Sequence, residues 1–342
     1  MSAENDVTKF QSLPNAGVIG LDLGGTFIRA GLFDTTGKLL ATQQTPIEAQ
    51  RGAQGGLERI ADLVRELVNE SGNLSLIGIG LGASGPVDPG QGVLRNPYTL
   101  PGWEDIPIVS QLKEIFGVPV SLENDADMAA LGEYWQGAGR KVQRLAAVTV
   151  GTGIGASLIL EGKIYRGLDG SHPEIGHHVI DPSGRLCYCG ARGCWEVLAS
   201  GAGIARQACE LIAEYPSSVL MKKTGGQPDR IDARMVAEAA QENDPLAMRV
   251  FEQASRYFSL GLVNLILFYL PEVVVLSGGV MKSYPLFKPA IEEAIVRHNV
   301  MAPLDRVRII PAALGYYAGL YGAAYNILYG LEQEIECLQV QR

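Results

Sequence analysis

The N-terminal part of this chain contains short apolar runs separated by tight turns. Residues 18–23, 27–33 and 39–42 are mainly apolar, and glycine and polar residues separate them. Runs of this length between turn residues predict three successive β-strands. The same criterion predicts strands at 77–81 and 118–122.

Helical periodicity appears between these predicted strands. Residues 56–70 place apolar side chains at a helical spacing, with charged residues on the other face. Helices are also predicted at 107–116 and 127–135.

A second unit of strand, glycine-threonine turn and strand begins with a predicted strand at 145–150. The turn reads Gly151-Thr152-Gly153-Ile154-Gly155 and resembles the earlier Gly24-Gly25-Thr26. Two such units predict an internally duplicated fold in which each half offers one phosphate loop. A strand pattern follows the second turn, so we reject a dinucleotide-binding motif, in which a helix would follow.

The last third of the chain is predicted to be mainly helical. Predicted here are helices at 203–214 and up to about 270, strands at 272–276 and 307–310, and a closing helix at 318–331. The predicted domains are 17–136 and 137–331, with tails at 1–16 and 332–342. The first tail is too short for a DNA-reading module.

Composition narrows the class of protein. The chain has 342 residues, of which 47% are hydrophobic, and a formal net charge of −9. This length predicts two domains, and the acidic balance argues against a nucleic-acid surface. No apolar segment predicts a membrane span, and five cysteines without a signal peptide favour a reducing cytoplasm.

Three of the five cysteines form a compact motif with a histidine. His177, Cys187, Cys189 and Cys194 supply one nitrogen and three sulfurs, a closed tetrahedral set that predicts a structural Zn²⁺. A disulfide framework or inert buried thiols are the weaker alternatives. The ion would hold the Glu174 and Glu196 carboxylates close to each other. The second ring nitrogen of His177 would stay free for a polar ligand.

Two further polar groups allow more than one interpretation. Asp22 precedes the Gly-Gly-Thr turn, which suits either a metal-and-phosphate site or an ordinary hairpin. Asn124 and Asp125 lie where a strand passes into a helix, where they would serve either as helix caps or, for Asp125, as a general base.

The segment E-x-G-H followed by C-x-C-G-x-x-G-C-x-E resembles the ROK family (repressors, open reading frames and sugar kinases), in particular its glucokinase-like hexose kinases. The matching motifs run in the family's order from Gly17 to about Leu331. The resemblance implies an actin-like ATPase (ribonuclease H-like) duplicated α/β fold of two domains with an interdomain cleft. It also implies ATP-dependent phosphorylation of a hexose, with glucose 6-phosphate as the favoured product.

The resemblance also assigns roles to individual residues. Asp125 would be the catalytic base. Sugar hydroxyls would be bound by Asn124, Asp125, Glu174, His177 and Glu196, with Ser84 and Gly85 as neighbours. Asp22, Gly24, Gly25 and Thr26 would form the first phosphate loop, with Asp22 near Mg²⁺. Thr149, Gly151, Thr152 and Gly153 would form the second, and Gly278 and Gly279 would lie beneath the adenosine.

The dipeptide His172-Pro173 departs from the glucokinase pattern and resembles the fructokinase branch of the family. Fructose, mannose and N-acetylmannosamine are therefore the alternative substrates. A sugar-responsive repressor and a polyphosphate-dependent kinase are less favoured. His172 is expected to pack its loop and His178 to be exposed. Relatives are commonly dimers or tetramers.

Overall fold

A computed structural model describes residues 15–72 and 74–340. The strands are β1 (Ala16–Leu23), β2 (Phe27–Asp34), β3 (Leu39–Pro46), β4 (Ser75–Ala83), β5 (Val87–Asp88), β6 (Val93–Leu94), β7 (Val120–Asn124), β8 (Arg144–Val150), β9 (Ile154–Leu160), β10 (Lys163–Ile164), β11 (Val273–Ser277) and β12 (Arg308–Pro311). The helices are α1 (Gly52–Glu70), α2 (Ile108–Phe116), α3 (Asp125–Trp135), α4 (Trp195–Ala199), α5 (Gly201–Leu211), α6 (Val219–Lys223), α7 (Ala233–Gln241), α8 (Pro245–Tyr269), α9 (Tyr284–His298) and α10 (Ala318–Val340).

Two five-stranded sheets repeat one plan. Their strand orders are β3-β2-β1-β4-β7 and β10-β9-β8-β11-β12. In the first sheet β1 pairs antiparallel with β2 and parallel with β4, and β4 pairs parallel with β7. In the second, β11 lies parallel to both β8 and β12. The predicted duplication is confirmed, because a strand that precedes a Gly-Thr turn is central in each sheet.

The chain divides into two compact units. The first contains the described residues up to Gln143, the segment Ile159–Ile164 and the described residues from Ala313 onwards. The second contains Arg144–Leu158 and Tyr165–Ala312. This division differs from the predicted 137–331 domain, because the closing helix belongs to the first unit.

Glycines in two central strands explain why α10 packs on the first sheet. A Cβ on Gly80 would lie 1.8 Å from the carbonyl oxygen of Ala323, and one on Gly20 would lie 2.2 Å from that of Leu320. A helix backbone can approach a sheet this closely only where the strands lack side chains. The helix also continues to Val340, past the predicted end at Leu331 and into the predicted tail 332–342.

Each unit has its own hydrophobic core. In the first unit the apolar face of α1 joins residues of β1, β2 and β4 in one core, with Leu57, Ile60 and Val64 fully or almost fully buried. In the second unit, Trp195 and Phe258 anchor a larger cluster between α4 and α8. None of the helices within residues 15–72 and 74–340 combines the length and apolarity of a membrane span. Residues 1–14 of the predicted tail lie outside the described part of the chain.

Candidate active site

The first Gly-Thr turn is narrow because its glycines lack side chains. The backbone N–H of Gly24 donates to the carbonyl oxygen of Phe27 at 3.1 Å, which closes the turn between β1 and β2. A Cβ on Gly25 would lie 3.0 Å from the carbonyl oxygen of Thr99. A glycine turn of this kind is one in which an anion can approach the backbone closely.

Asp22 lies at the end of β1 beside an arginine that the sequence analysis did not single out. Arg29 Nη1 donates to Asp22 Oδ2 at 2.8 Å, and its guanidinium stacks 3.5 Å above the Tyr316 ring centroid. Burial raises the pKa of the Asp22 carboxyl, Arg29 opposes that rise, and the negative charge of Asp125 adds to it. The paired Asp22 carboxylate is thus held in one orientation at the edge of the turn.

Asp125 is the first residue of α3, directly after β7. Its Oδ2 accepts a hydrogen bond from Ser84 Oγ at 2.8 Å, and Ser84 follows the neighbouring parallel strand β4. A carboxylate at a helix N-terminus is stabilised by the free N–H groups and the helix dipole. The structure therefore brings Asp125 and Ser84 together at the carboxyl ends of two adjacent parallel strands, where α/β proteins bind ligands.

Asn124 caps α3. Its Oδ1 accepts from the backbone N–H of Ala126 at 2.9 Å. Its Nδ2 faces Gly85, where a Cβ would be only 3.1 Å away. Capping uses the amide oxygen alone, so the amide nitrogen keeps its capacity to donate to a ligand. Asn124 can therefore cap α3 and bind a ligand at the same time.

Asn96 is a further residue of this region that sequence reasoning missed. It is fully buried, and its Nδ2 donates to the Ser84 carbonyl oxygen at 2.8 Å and to Thr99 Oγ1 at 2.7 Å. Its Oδ1 accepts from the N–H groups of Tyr98 and Thr99. The Asn-Pro dipeptide marks a turn, but only the structure shows that this turn fixes the segment carrying Ser84.

The second Gly-Thr turn lies in the second unit, between β8 and β9. The N–H of Gly151 donates to the Gly153 carbonyl oxygen at 2.9 Å, and the Gly201 N–H donates to the Gly151 carbonyl oxygen at 2.8 Å. Thr149 Oγ1 lies 2.9 Å from Ser277 Oγ at the end of β11. The turn is thereby fixed to both α5 and the adjacent strand.

A cavity of about 940 Å³ opens beside this turn. Thr152 and Gly279 line it, and α7 contributes Arg234 and Glu238. Gly278 has a φ of 93° and lies so close to β8 that a Cβ would be 2.3 Å from the Val150 carbonyl oxygen. Gly279 meets no atom within 4 Å of its Cβ position. The first glycine therefore permits the tight turn, and the second leaves the cavity wall open.

The predicted zinc ligands converge in the second unit. One ligand atom from each of His177, Cys187, Cys189 and Cys194 lies within 4.8 Å of all the others. His177 Nδ1 is 3.5 Å from Cys187 Sγ, and Cys189 Sγ is 3.5 Å from Cys194 Sγ. Tetrahedral ligands at zinc distances lie about 3.7 Å apart. The donor set and its spacing fit a structural zinc ion.

Glu196 connects this cluster to the second turn. Its Oε2 accepts from the Ile154 N–H at 2.9 Å, and a Cβ on Gly153 would lie 2.2 Å from the same oxygen. Gly176, next to His177, is equally close to the Ile154 carbonyl oxygen, at 2.1 Å from its Cβ position. The segment that carries the predicted zinc ligands and the second Gly-Thr turn are therefore packed backbone to backbone.

The second ring nitrogen of His177, predicted to be available for a polar ligand, faces a neighbouring phenol. His177 Nε2 lies 3.0 Å from the hydroxyl oxygen of Tyr188, within hydrogen-bonding distance. Partial loss of hydration raises the pKa of the Tyr188 phenol to about 12, and the Glu196 carboxylate reinforces this. The side chain as a whole is 83% exposed.

The neighbouring histidines have different surroundings. His178 is half-buried and not exposed as predicted, because its Nδ1 bonds the Ile175 carbonyl oxygen at 2.6 Å and its ring lies against Trp195. His172 lies 3.2 Å from Arg166 Nη1, which agrees with the predicted role of packing its loop.

The strand order and the two Gly-Thr turns define an actin-like ATPase fold, which ROK sugar kinases share. The chain matches the ROK family over residues 18–328. It belongs to that family.

Individual relatives include enzymes and regulators. Thermotoga maritima glucokinase is 32% identical over 312 residues, 91% of this chain and 97% of its own length. The Bacillus subtilis xylose repressor is 26% identical over 91% of this chain and 76% of its own length.

Among solved structures, a ROK hexokinase from Thermus thermophilus has a TM-score of 0.79 and 34% identity, covering 93% of this chain and 99% of its own. A Streptomyces griseus ROK glucokinase in complex with glucose and AMPPNP has a TM-score of 0.68 and 32% identity, covering 91% and 99%.

Proposed function

We propose that this protein is an ATP-dependent hexose kinase that phosphorylates glucose to glucose 6-phosphate. The observation that carries the proposal is the position of the Asp125 carboxylate, which lies at the start of α3 and accepts a hydrogen bond from Ser84. A carboxylate placed at a helix N-terminus beside a candidate phosphate loop suits a general base that receives a hydroxyl proton during phosphoryl transfer. The similarity to named glucokinases supports the same reaction.

The phosphate groups of ATP would be bound by the two Gly-Thr turns. Thr26 and Thr152 offer hydroxyls there, and the glycines, which lack side chains, would let a phosphate approach the backbone closely. Mg²⁺ would neutralise charge on the nucleotide and lie near Asp22. Asp22 would help to hold the ion through its carboxylate, one oxygen of which already accepts from Arg29. The cavity beside Gly279 suits the adenosine.

Sugar hydroxyls would be bound by Glu174, His177 and Glu196, together with Asn124 and Asp125. A hydroxyl both donates and accepts, so carboxylates, an imidazole and an amide can bind several of them at once. A sugar that lacked one hydroxyl would leave a buried group unpaired and would be rejected. Structural zinc would hold the loop that carries the first three residues.

Fructose, mannose and N-acetylmannosamine are the alternative substrates, because His172-Pro173 resembles the fructokinase branch. A sugar-responsive repressor is the second candidate function, since xylose repressors are among the relatives. The intact Gly-Thr turns and Asp125 favour the kinase. That this protein forms a dimer or tetramer remains a prediction.

The proposed function is tested by measuring ADP release with ATP, Mg²⁺ and a panel of hexoses and N-acetylhexosamines. Glucose is expected to give the highest kcat/KM. Sugar binding without ADP formation, on every sugar of the panel, would favour the repressor.

Arg29→Gln tests the role of Asp22. The change removes the group that holds down the Asp22 pKa, so this pKa rises further and less Asp22 is ionised at acidic pH. We expect the acid limb of the pH profile of kcat/KM to move to higher pH, with a loss of about ten-fold at its acidic end. Arg65→Gln, which removes an exposed partner of Asp62 on α1, is the control. An unmoved acid limb would show that ionised Asp22 is not required.

A further inference from the structure

Tyr188 lies between two of the proposed zinc ligands, Cys187 and Cys189. Its side chain contacts another of them, His177. Its hydroxyl is 3.0 Å from His177 Nε2. The two rings meet edge to face, with centroids 5.0 Å apart and planes at 90°. The phenol therefore makes the hydrogen bond that the proposed sugar site requires from His177.

The same hydroxyl is close to the acidic groups of that site. The negative charges of the Glu196 and Glu174 carboxylates both help to raise the pKa of this phenol, so both lie close enough to act on it. A phenol hydroxyl among an imidazole and two carboxylates has the surroundings that a sugar hydroxyl would have there. One oxygen can occupy this position at a time.

The Tyr188 side chain can rotate away from His177, whereas the backbone of Tyr188 is held in place. The side chain is 83% exposed, so little apolar packing opposes its rotation. On either side, Cys187 and Cys189 point to the proposed metal, and the Cys187 N–H bonds the Ala191 carbonyl oxygen at 2.8 Å. Rotation about the side-chain bonds alone can therefore open the position.

We propose that Tyr188 is a displaceable stand-in for a sugar hydroxyl, whose bond to His177 must break before the sugar binds. This inference rests on the proposed function, because it concerns the same hexose site. Tyr188 then lowers the affinity for a sugar that places a hydroxyl on His177, and has least effect on a sugar that offers none there, because the phenol can then stay in place. It acts as a specificity-determining residue that competes with the ligand.

Tyr188→Phe tests the inference, because it keeps the ring and removes the competing hydroxyl. Calorimetric titration with glucose at neutral pH should give a Kd about three- to ten-fold lower than for the unchanged protein, the fold-change expected when one hydrogen bond no longer has to be broken. Zinc content should stay the same. Tyr165→Phe removes a hydroxyl from a partly exposed tyrosine of the same unit and should leave the Kd unchanged.

A Kd that is unchanged in Tyr188→Phe would overturn the inference, and a higher Kd would show that the phenol helps to bind the sugar. Tyr188→Ala gives a second readout, since removal of the whole ring should also lower the Kd if Tyr188 only competes. Failure of the unchanged protein to bind any hexose would overturn the proposed function as well. Binding by the unchanged protein without a gain in Tyr188→Phe would overturn the inference alone.

Discussion

Replacing Asp125 with Asn should lower kcat for hexose phosphorylation by about a hundred- to ten-thousand-fold, the range that a positioned general base contributes. Asn has the shape of Asp and can still bond Ser84 Oγ, which lies 2.8 Å from the carboxylate. The change therefore removes the proton acceptor with little disturbance of the fold. Steady-state ADP release and calorimetric binding of the sugar separate the two effects, and the Kd should change by less than about three-fold.

Asp62→Asn is the matched control, because Asp62 is an exposed aspartate on α1 that pairs only at the surface with Arg65. It should leave kcat and Kd unchanged. If Asp125→Asn keeps kcat within about ten-fold of the original, another group takes the proton. If it abolishes sugar binding together with turnover, Asp125 serves mainly to hold the sugar.

Replacing Cys189 with Ser should remove the zinc ion and weaken hexose binding by about ten- to a hundred-fold, the usual cost of disturbing groups that orient a metal site. Cys189 suits this test because it is exposed, whereas Cys187 and Cys194 are buried and their loss would also damage packing. Without the ion, Glu174 and Glu196 lose their fixed positions. Elemental analysis should find about one zinc per chain in the unchanged protein and much less in the variant.

Cys209→Ser is the control, since this cysteine lies in α5 and is not one of the clustered ligands. It should keep both zinc and sugar affinity. Tight hexose binding by zinc-free Cys189→Ser protein would contradict a structural role for the metal in the sugar site.

Features that depend on neighbouring residues could be predicted from the sequence. The two strand-turn-strand units follow from apolar runs and glycine turns, and the fold that they imply was confirmed. The four proposed zinc ligands fall within eighteen residues, from His177 to Cys194, and the structure brings their ligand atoms together. Local patterns carry this information because the residues involved are joined by short loops.

Features that depend on distant contacts could not be predicted. α10 joins the first unit because Gly20 and Gly80 leave room for a helix more than two hundred residues later in the chain. The contact of Arg29 with Tyr316 has the same origin. The role of Tyr188 could not be predicted for another reason: its contact with His177 depends on how its side chain is oriented, which the sequence does not show.

The most direct test of the central claim is to identify the product by ³¹P and ¹³C nuclear magnetic resonance after incubation with ATP, Mg²⁺ and glucose labelled with ¹³C at carbon 6. We expect a phosphate ester whose phosphorus couples to the labelled carbon, formed in step with ADP. Inorganic phosphate without a sugar ester, or no consumption of ATP, would contradict the proposal that this chain transfers phosphate to a hexose hydroxyl.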